Sequence, residues 1–443
     1  MSPRADSDTG GPGPLSSAPR RIGLGDLELR GGKVRCRLTL GGGLERYFRG
    51  RALEMSYDFP ADAIGPSILY IPFVAAVLPV ALLAGGDIAV RMLDEEYLRS
   101  VMLVQDKLKE WRPGLPFCTK IVSDERVTNV FAEDGRCGVL FSGGLDSTSS
   151  FLTNKENVST LVMVGGTEDL PLRDRHYWER IRDLAASFAK RNGVAIHFAE
   201  SNWLDVLDAS HLVQDFAVPL AGPRRRDDVT NWEEVFRLAL LGICAPVAAC
   251  ERLRTLLMAS TYSAEVLEAL GIPGFVEKNL RWGDLAVGRD SEDLTRQQKI
   301  RNVIAPYLRE NEGGLPLRVC HPINLERNRK LRQRGLLNCS ECPKCRRTML
   351  GLLLDGIDPR RCGFEQGSFS SERIRQQLAN RSIIFTGSLL EFWTDMKRHI
   401  DDRPSLATEL NLWNTNGFFD WLASYDLTRN LATSNESVDG GIP

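Results

Sequence analysis

The sequence predicts an α/β protein built on a parallel sheet with helices on both faces. Three observations carry this expectation. From Gly138 to Ala259, short apolar runs alternate with helical stretches, and parallel strands need such crossovers. A glycine-rich turn, Ser142-Gly143-Gly144-Leu145-Asp146-Ser147-Thr148, stands between one run and a helix. Small polar residues gather just past several runs, where open α/β sheets bind their ligands.

The elements follow in order. Gly138 to Phe141 is a strand that runs into the turn. Leu161 to Val164 is a second strand, ending at Gly165-Gly166. Trp178, Ile181, Leu184, Ala185 and Phe188 share one helical face. Val194 to Phe198 is a third strand, with Ser201-Asn202 just beyond it. Trp232 to Arg252 reads as one long apolar helix, and Leu256 to Ala259 as a fourth strand ending at Ser260-Thr261. From Arg346 onward the chain is mostly helical, without repeats.

Ahead of this lies an N-terminal β/α module, residues 21–125. Ile22 to Phe59 alternates in polarity around Gly31-Gly32 and Gly41-Gly42-Gly43, which predicts short strands. Ser67 to Leu108 is more helical, with Leu98, Val101, Met102 and Val104 on one face. Ile68 to Ala84 is almost wholly apolar, but it carries Pro72 and Pro79 and falls short of the ~20 residues a spanning helix needs. It is expected as a buried core segment. The module carries no recognisable chemistry. Residues 1–20, rich in Gly, Pro, Ser and Asp, read as a disordered leader without a signal peptide, and residues 432–443 as a disordered tail. Residues 126–365 form the domain that carries the motifs, and residues 366–431 are C-terminal helices.

Composition excludes several classes. The 443 residues suffice for two or three domains of ~100–200 residues each. Hydrophobic content of 43% and charged content of 26% are ordinary for a soluble protein, so a cytoplasmic location without a membrane partner is expected. The net charge of −2 and pI near 6.3 lack the basic footprint of a nucleic-acid binder. The histidines, His176, His197, His211, His321 and His399, are scattered, and no serine-histidine-acid arrangement can be argued from them.

Three motifs carry chemistry. The first is the Ser142–Thr148 turn, an anion site. Its glycines let the backbone approach oxygens closely, and N–H groups of the turn and of the first helical turn suit phosphate. Ser142, Ser147 and Thr148 add hydroxyls. Asp146 cannot hold phosphate directly, so its sensible role is to hold Mg²⁺ against phosphate oxygens. No lysine closes the turn, which separates it from the Walker pattern. The second is Cys339-Ser340-Glu341-Cys342-Pro343-Lys344-Cys345, with the spacing of a zinc knuckle. A structural Zn²⁺ site needs four ligands, and the fourth is Cys320 or Cys362. Cys320 is preferred, because the metal then closes a long excursion of chain. The third is basic. Arg327, Arg329, Lys330, Arg332 and Arg334 precede the cysteines, Lys344, Arg346 and Arg347 follow them, and Arg224-Arg225-Arg226 lies in a loop. These form a solvated face or a phosphate clamp. Arg296 and Lys299 are the better candidates for contacts to ATP phosphates.

Ser-Gly-Gly-x-Asp-Ser after a strand resembles the PP-loop ATP pyrophosphatases. The cysteine cluster followed by Arg346-Arg347-Thr348-Met349 is similar to 7-cyano-7-deazaguanine synthase, QueC, and its relatives. The resemblance spans Gly138 to Gly363. The chain is longer than the housekeeping enzyme and lacks its acidic, Tyr- and Pro-containing substrate loop; the corresponding stretch is Gly274 to Asp284. In these respects it resembles the long QueC-like proteins of bacterial anti-phage systems, Qat and type IV CBASS.

The resemblance implies an adenine-nucleotide α-hydrolase-like sheet, a structural zinc region, and a ligase that uses ATP and Mg²⁺. The implied reaction is adenylation of a 7-deazaguanine carboxylate with release of pyrophosphate. Amine attack follows, by ammonia to give amide and then nitrile, or by the free N-terminus of a protein partner. The implied ATP site is Phe141, Ser142, Gly143, Gly144, Leu145, Asp146, Ser147, Thr148, Gly165 and Arg296. Asp146, Ser147 and Lys299 take catalytic roles, and Cys320, Cys339, Cys342 and Cys345 hold Zn²⁺. Competing expectations are a tRNA-thiolating PP-loop enzyme and a catalytically silent partner-binding subunit.

Overall fold

A computed structural model of the chain describes residues 19–131, 135–216, 231–320, 331, 334–367, 369–385, 387–402 and 413–431. The expected leader (apart from its last two residues) and tail, Arg224–Arg226, His321 and Arg327, Arg329, Lys330 and Arg332 lie outside the described residues.

Among the described residues, eleven strands form one sheet. They are β1 (Arg21–Arg30), β2 (Lys33–Gly41), β3 (Ala52–Tyr57), β4 (Asp87–Asp94), β5 (Ile121–Val127), β6 (Arg136–Leu140), β7 (Val158–Gly165), β8 (Ala195–Ser201), β9 (Leu253–Ala259), β10 (Arg281–Trp282) and β11 (Leu285–Asp290). Their order is β10-β11-β9-β6-β7-β8-β3-β2-β1-β4-β5. The run β11-β9-β6-β7-β8 is parallel throughout. At β8 the N-terminal strands join it: β3 pairs antiparallel with β8, and β2 and β1 continue the meander. Parallel pairs β1-β4 and β4-β5 close that side.

β7 shows why the central strands read as unbroken apolar runs. Leu161 and Met163 enter one core, while Val162 and Val164 enter the other. Side chains alternate across a strand, so a sheet covered on both faces needs apolar residues at every position. The core entered by Val162 and Val164 holds the helices Ile71–Ala84 and Asn231–Ile243, and the core entered by Leu161 and Met163 holds Arg175–Asn192 and the C-terminal helices.

Every residue of Ile71–Ala84 is buried. A helix that is apolar all round belongs in a core or a membrane. Pro66–Ala84 is long and apolar enough for a membrane, yet its most apolar window is 100% buried inside the fold. Part of its cover is the Asn231–Ile243 helix: a Cβ on Gly242 would fall 2.2 Å from the Ala75 Cβ. Glycine there lets the two backbones close.

Three local readings differ from the structure. The helical stretch expected from Ser67 to Leu108 is split by β4, in which buried Ile88 and Val90 alternate with less buried neighbours over too few residues to outweigh the flanking helical pattern. β5 contains Ser-Asp-Glu-Arg and is largely exposed at the sheet edge, so it has no apolar signature. The helix expected from Trp232 to Arg252 breaks into Asn231–Ile243 and Ala245–Cys250. Pro246 has no N–H to continue the ladder.

His197 on β8 ties the parallel strands to the N-terminal ones. Its Nδ1 lies 2.8 Å from Asp58 Oδ1 and its Nε2 2.8 Å from Glu251 Oε1. The hydrogen bond to Asp58, helped by Glu251 and opposed by burial, raises its pKa. A raised folded-state pKa gives stability that is present below the unfolded value of about 6.5 and lost as pH rises through the folded value. The melting temperature of the protein should therefore fall between pH 6 and pH 9 by more than that of His197→Gln. Parallel curves for the two proteins would remove this ion pair from the account of stability.

Candidate functional site

The site begins where β6 ends. The Phe141 N–H donates to Val162 O at 2.8 Å, and its ring stacks on Phe188 with centroids 5.2 Å apart. This fixes the root of the turn. Gly143 sits at φ 72, a left-handed conformation that other residues adopt only with strain. Gly144 then caps the helix Leu145–Thr153 without any side-chain bond. Ser147 Oγ accepts from the Ser142 N–H at 3.2 Å and donates to Gly144 O at 3.3 Å. Ser147 thus braces the turn. The first N–H groups of a helix have no intrahelical partner, and those of Leu145, Asp146 and Ser147 belong to residues that wall a cavity.

That cavity, about 350 Å³, opens at the carboxyl ends of β6 and β9. Arg237, Arg289, Arg296, Arg318, Lys344 and Arg347 line it, against the acids Asp146, Asp169 and Glu277. An excess of cations around a glycine-rich turn fits a polyanion. Arg296 Nη1 lies 3.0 Å from Asp146 Oδ2, and Lys299 Nζ 3.5 Å from Asp146 Oδ1. Lys299 is wholly buried and also donates to Ser260 O. Both cations come from one helical turn, Arg296–Lys299, set by a Thr295–Gln298 capping box. Burial opposes the Asp146 carboxylate, but Arg296 and Lys299 outweigh it and hold its pKa below the ordinary value. Burial depresses Lys299, and Asp146 opposes that shift. The buried Arg347 guanidinium lies 3.8 Å from the ring centroid of Phe392, which comes from the C-terminal helix Gly387–Arg398.

Beside the cavity lie the cysteines. The sulfurs of Cys320, Cys339, Cys342 and Cys345 all lie within 4.8 Å of one another. Cys339 and Cys345 are 3.8 Å apart, which matches the ~3.8 Å edge of a sulfur tetrahedron around zinc at ~2.3 Å. Cys342 caps the helix Pro343–Leu354, accepting from the Cys345 N–H at 3.5 Å, and Cys339 accepts from the Cys342 N–H at 3.2 Å. Such N–H donors and a helix N-terminus favour thiolate charge. The shared thiol hydrogen bonds pull Cys339 and Cys342 down in pKa and push Cys320 and Cys345 up. The four are placed to hold a metal ion such as zinc. Cys362 stands outside this group; burial pushes its thiol up to about 12.

Two residues that sequence reasoning missed join cluster to turn. Asn338 is fully buried. Its Oδ1 accepts from the Val319 and Cys320 N–H groups at 2.9 and 3.0 Å, and its Nδ2 donates to Leu317 O at 2.7 Å. It fixes the extended segment that delivers Cys320. Two positions before Cys320, the Arg318 N–H donates to Gly143 O at 2.7 Å and its Nε to Ser142 O at 2.8 Å. The backbone that brings the fourth sulfur therefore also holds the glycine-rich turn.

Of the residues expected from sequence, Ser142, Gly144, Leu145, Asp146, Ser147 and Arg296 line the cavity. Lys299 stands behind Asp146. Gly143 and Thr148 face a small adjoining cleft. Phe141 supports the turn from the core. Gly165 serves packing, since a Cβ there would lie 2.9 Å from the Trp178 ring. Arg237, Glu277 and Arg289 also escaped notice, because isolated charges on a helix, a short turn and an edge-side strand carry no motif. No protein-family model, curated protein or solved structure matches the chain.

Proposed function

We propose that the protein activates a carboxylate with ATP, breaking the nucleotide between its α and β phosphates. The supporting observation is one cavity in which the Ser142–Ser147 turn, Asp146 and an excess of arginine and lysine meet at the strand ends. The N–H groups of the turn, with Arg296, Arg318, Lys344 and Arg347, suit the charge that builds on a departing pyrophosphate. Preorganised donors of this kind are each worth ~10²–10³ in rate. Asp146, ionised and acceptor-only, is the residue that would hold Mg²⁺, which neutralises phosphate charge when bound.

In the proposed first step a substrate carboxylate oxygen attacks the α phosphorus. The bond to the β phosphate breaks, and its electron pair leaves with pyrophosphate. An amine then attacks the acyl carbon, AMP departs, and the amine gives up a proton. The cysteine cluster and its flanking arginines support a 7-deazaguanine carboxylate as substrate, by the resemblance described above, with ammonia or a protein N-terminus as the amine. The metal held by the four cysteines would be a structural Zn²⁺ that fixes the Arg318 segment. Within the cluster Cys320, Cys342 and Cys345 are buried and Cys339 is half-buried, which favours a structural metal site over thiols that carry sulfur.

The test is product identity. The protein, ATP, Mg²⁺ and 7-carboxy-7-deazaguanine should yield AMP and pyrophosphate. ADP and orthophosphate as the products would refute the proposal.

A further inference from the structure

We infer that Phe392, on the C-terminal helix Gly387–Arg398, is a positioning residue that sets the Arg347 guanidinium for the phosphates of the nucleotide. No motif marks this helix. It follows the glycine-rich turn, the cysteines and the whole stretch Gly138–Gly363 in the chain.

The helix touches both elements that carry cations to the cavity. Phe392 and Asp395 stand three residues apart, on one helical face, and are 8% and 6% exposed. Asp395 Oδ2 accepts from the Gln297 N–H at 2.9 Å, inside the helical turn Arg296–Lys299. Gln297 Nε2 in turn donates to Gly351 O at 2.9 Å and to Asp355 Oδ2. Gly351 belongs to the helix Pro343–Leu354, and Asp355 caps its end. The C-terminal helix, the Arg296 turn and the helix that bears Arg347 therefore meet at one joint. From that joint Phe392 reaches the cavity wall. Its ring stacks on Tyr262, with centroids 5.2 Å apart and planes 25° from parallel. Arg347 Cζ lies 3.8 Å from the Phe392 centroid and Arg296 Cζ 5.8 Å.

The two arginines are held differently. Arg296 is paired with Asp146 at 3.0 Å. Arg347 is 6% exposed, its Nε has no hydrogen-bond partner, and it forms no ion pair among the described residues. A buried cation without an anion is costly. An aromatic face recovers part of that cost, and does so more strongly where water is excluded. It also differs from a carboxylate in leaving the positive charge unneutralised. Phe392 thus fixes Arg347 in the cavity wall while keeping its charge available to a phosphate. An aliphatic side chain would fill the same space without attracting the cation.

The assignment rests on the proposed reading of the cavity as an ATP site, and the experiment separates the two. The full chain is titrated with Mg²⁺ and α,β-methylene ATP, whose α–β bridge is not cleaved. Phe392→Leu, shown folded by its melting curve, should bind about 10-fold more weakly, the scale of one desolvated cation–π contact. Phe392→Tyr keeps the ring and should bind as the unaltered protein does. Arg347→Met should bind more weakly than either. In that background Phe392→Leu should change affinity by less than about 2-fold, because the ring acts through the guanidinium. Unchanged affinity in Phe392→Leu or in Arg347→Met overturns the assignment. So does an equal loss from Phe392→Leu in both backgrounds, which is the result expected of a ring that only packs the wall. Should Phe392→Leu not fold, Phe392→Met, which keeps more of the volume, replaces it in the cycle. Binding that depends on Phe392 through Arg347, without pyrophosphate release from ATP and 7-carboxy-7-deazaguanine, would leave the positioning role standing and remove the activation reaction.

Discussion

Cys342→Ser should empty the thiol site, lower the melting temperature by about 10 °C or more, and abolish ATP turnover. The size of the thermal effect follows from the energy of structural zinc sites, about 10–16 kcal/mol in small peptides, of which only part is felt by a large domain at ~2–4 °C per kcal/mol. Cys342 is a suitable target because its sulfur also caps the Pro343–Leu354 helix, which carries Lys344 and Arg347 to the cavity. The effect on turnover is positional. Loss of the metal frees Cys320 from Cys339, Cys342 and Cys345, and the segment that bears Cys320 also presents Arg318 to Ser142 O and Gly143 O. The anion turn then loses its outer support. Elemental analysis should show metal near one ion per chain in the unaltered protein and little in the variant. Cys362→Ser removes a fully buried thiol outside the cluster; it should cost some stability and leave metal content unchanged. An unchanged metal content in Cys342→Ser would refute the four-sulfur assignment.

How much of this was legible beforehand depends on how local each signal is. The glycine-rich turn lies within seven consecutive residues and needs a glycine at Gly143, so its sequence displays it. Three cysteines at knuckle spacing do the same. The four central strands were visible because β6, β7, β8 and β9 are strongly apolar and end in turn-forming residues. β5 was not, because an edge strand faces solvent and needs no apolar pattern. Asn338 and Arg318 were invisible for another reason. An asparagine or arginine has no spacing rule, and their roles arise only when chain segments far apart in sequence meet. The pairing of β3 with β8 is likewise a long-range contact that no local pattern encodes.

Asp146→Asn is expected to strike the chemistry directly, and its effect on stability should be separable from the loss of activity. The substitution keeps shape but removes charge. It should lower pyrophosphate release by about 10³-fold or more, since an amide neither holds Mg²⁺ as a carboxylate does nor balances the cations beside the phosphates. It should also destabilise the fold. Lys299 is fully buried, and the anion that compensates it is Asp146, 3.5 Å away. Removing one partner of a buried ion pair costs about 3–5 kcal/mol, because the other charge stays in a poor solvent. Lys299→Met added to Asp146→Asn removes that stranded charge and should recover part of the stability, though Ser260 O then loses the donor it has in Lys299. Activity should not return, because the carboxylate is still missing. Denaturant melts of the unaltered protein, Asp146→Asn, Lys299→Met and the double variant form a complete cycle, read beside pyrophosphate release. Stability regained without activity assigns the Lys299–Asp146 pair to the fold and the Asp146 charge to the chemistry. A rate for Asp146→Asn within a few-fold of the unaltered protein would deny the carboxylate any part in the reaction, leaving the turn as an anion site without the proposed phosphate chemistry.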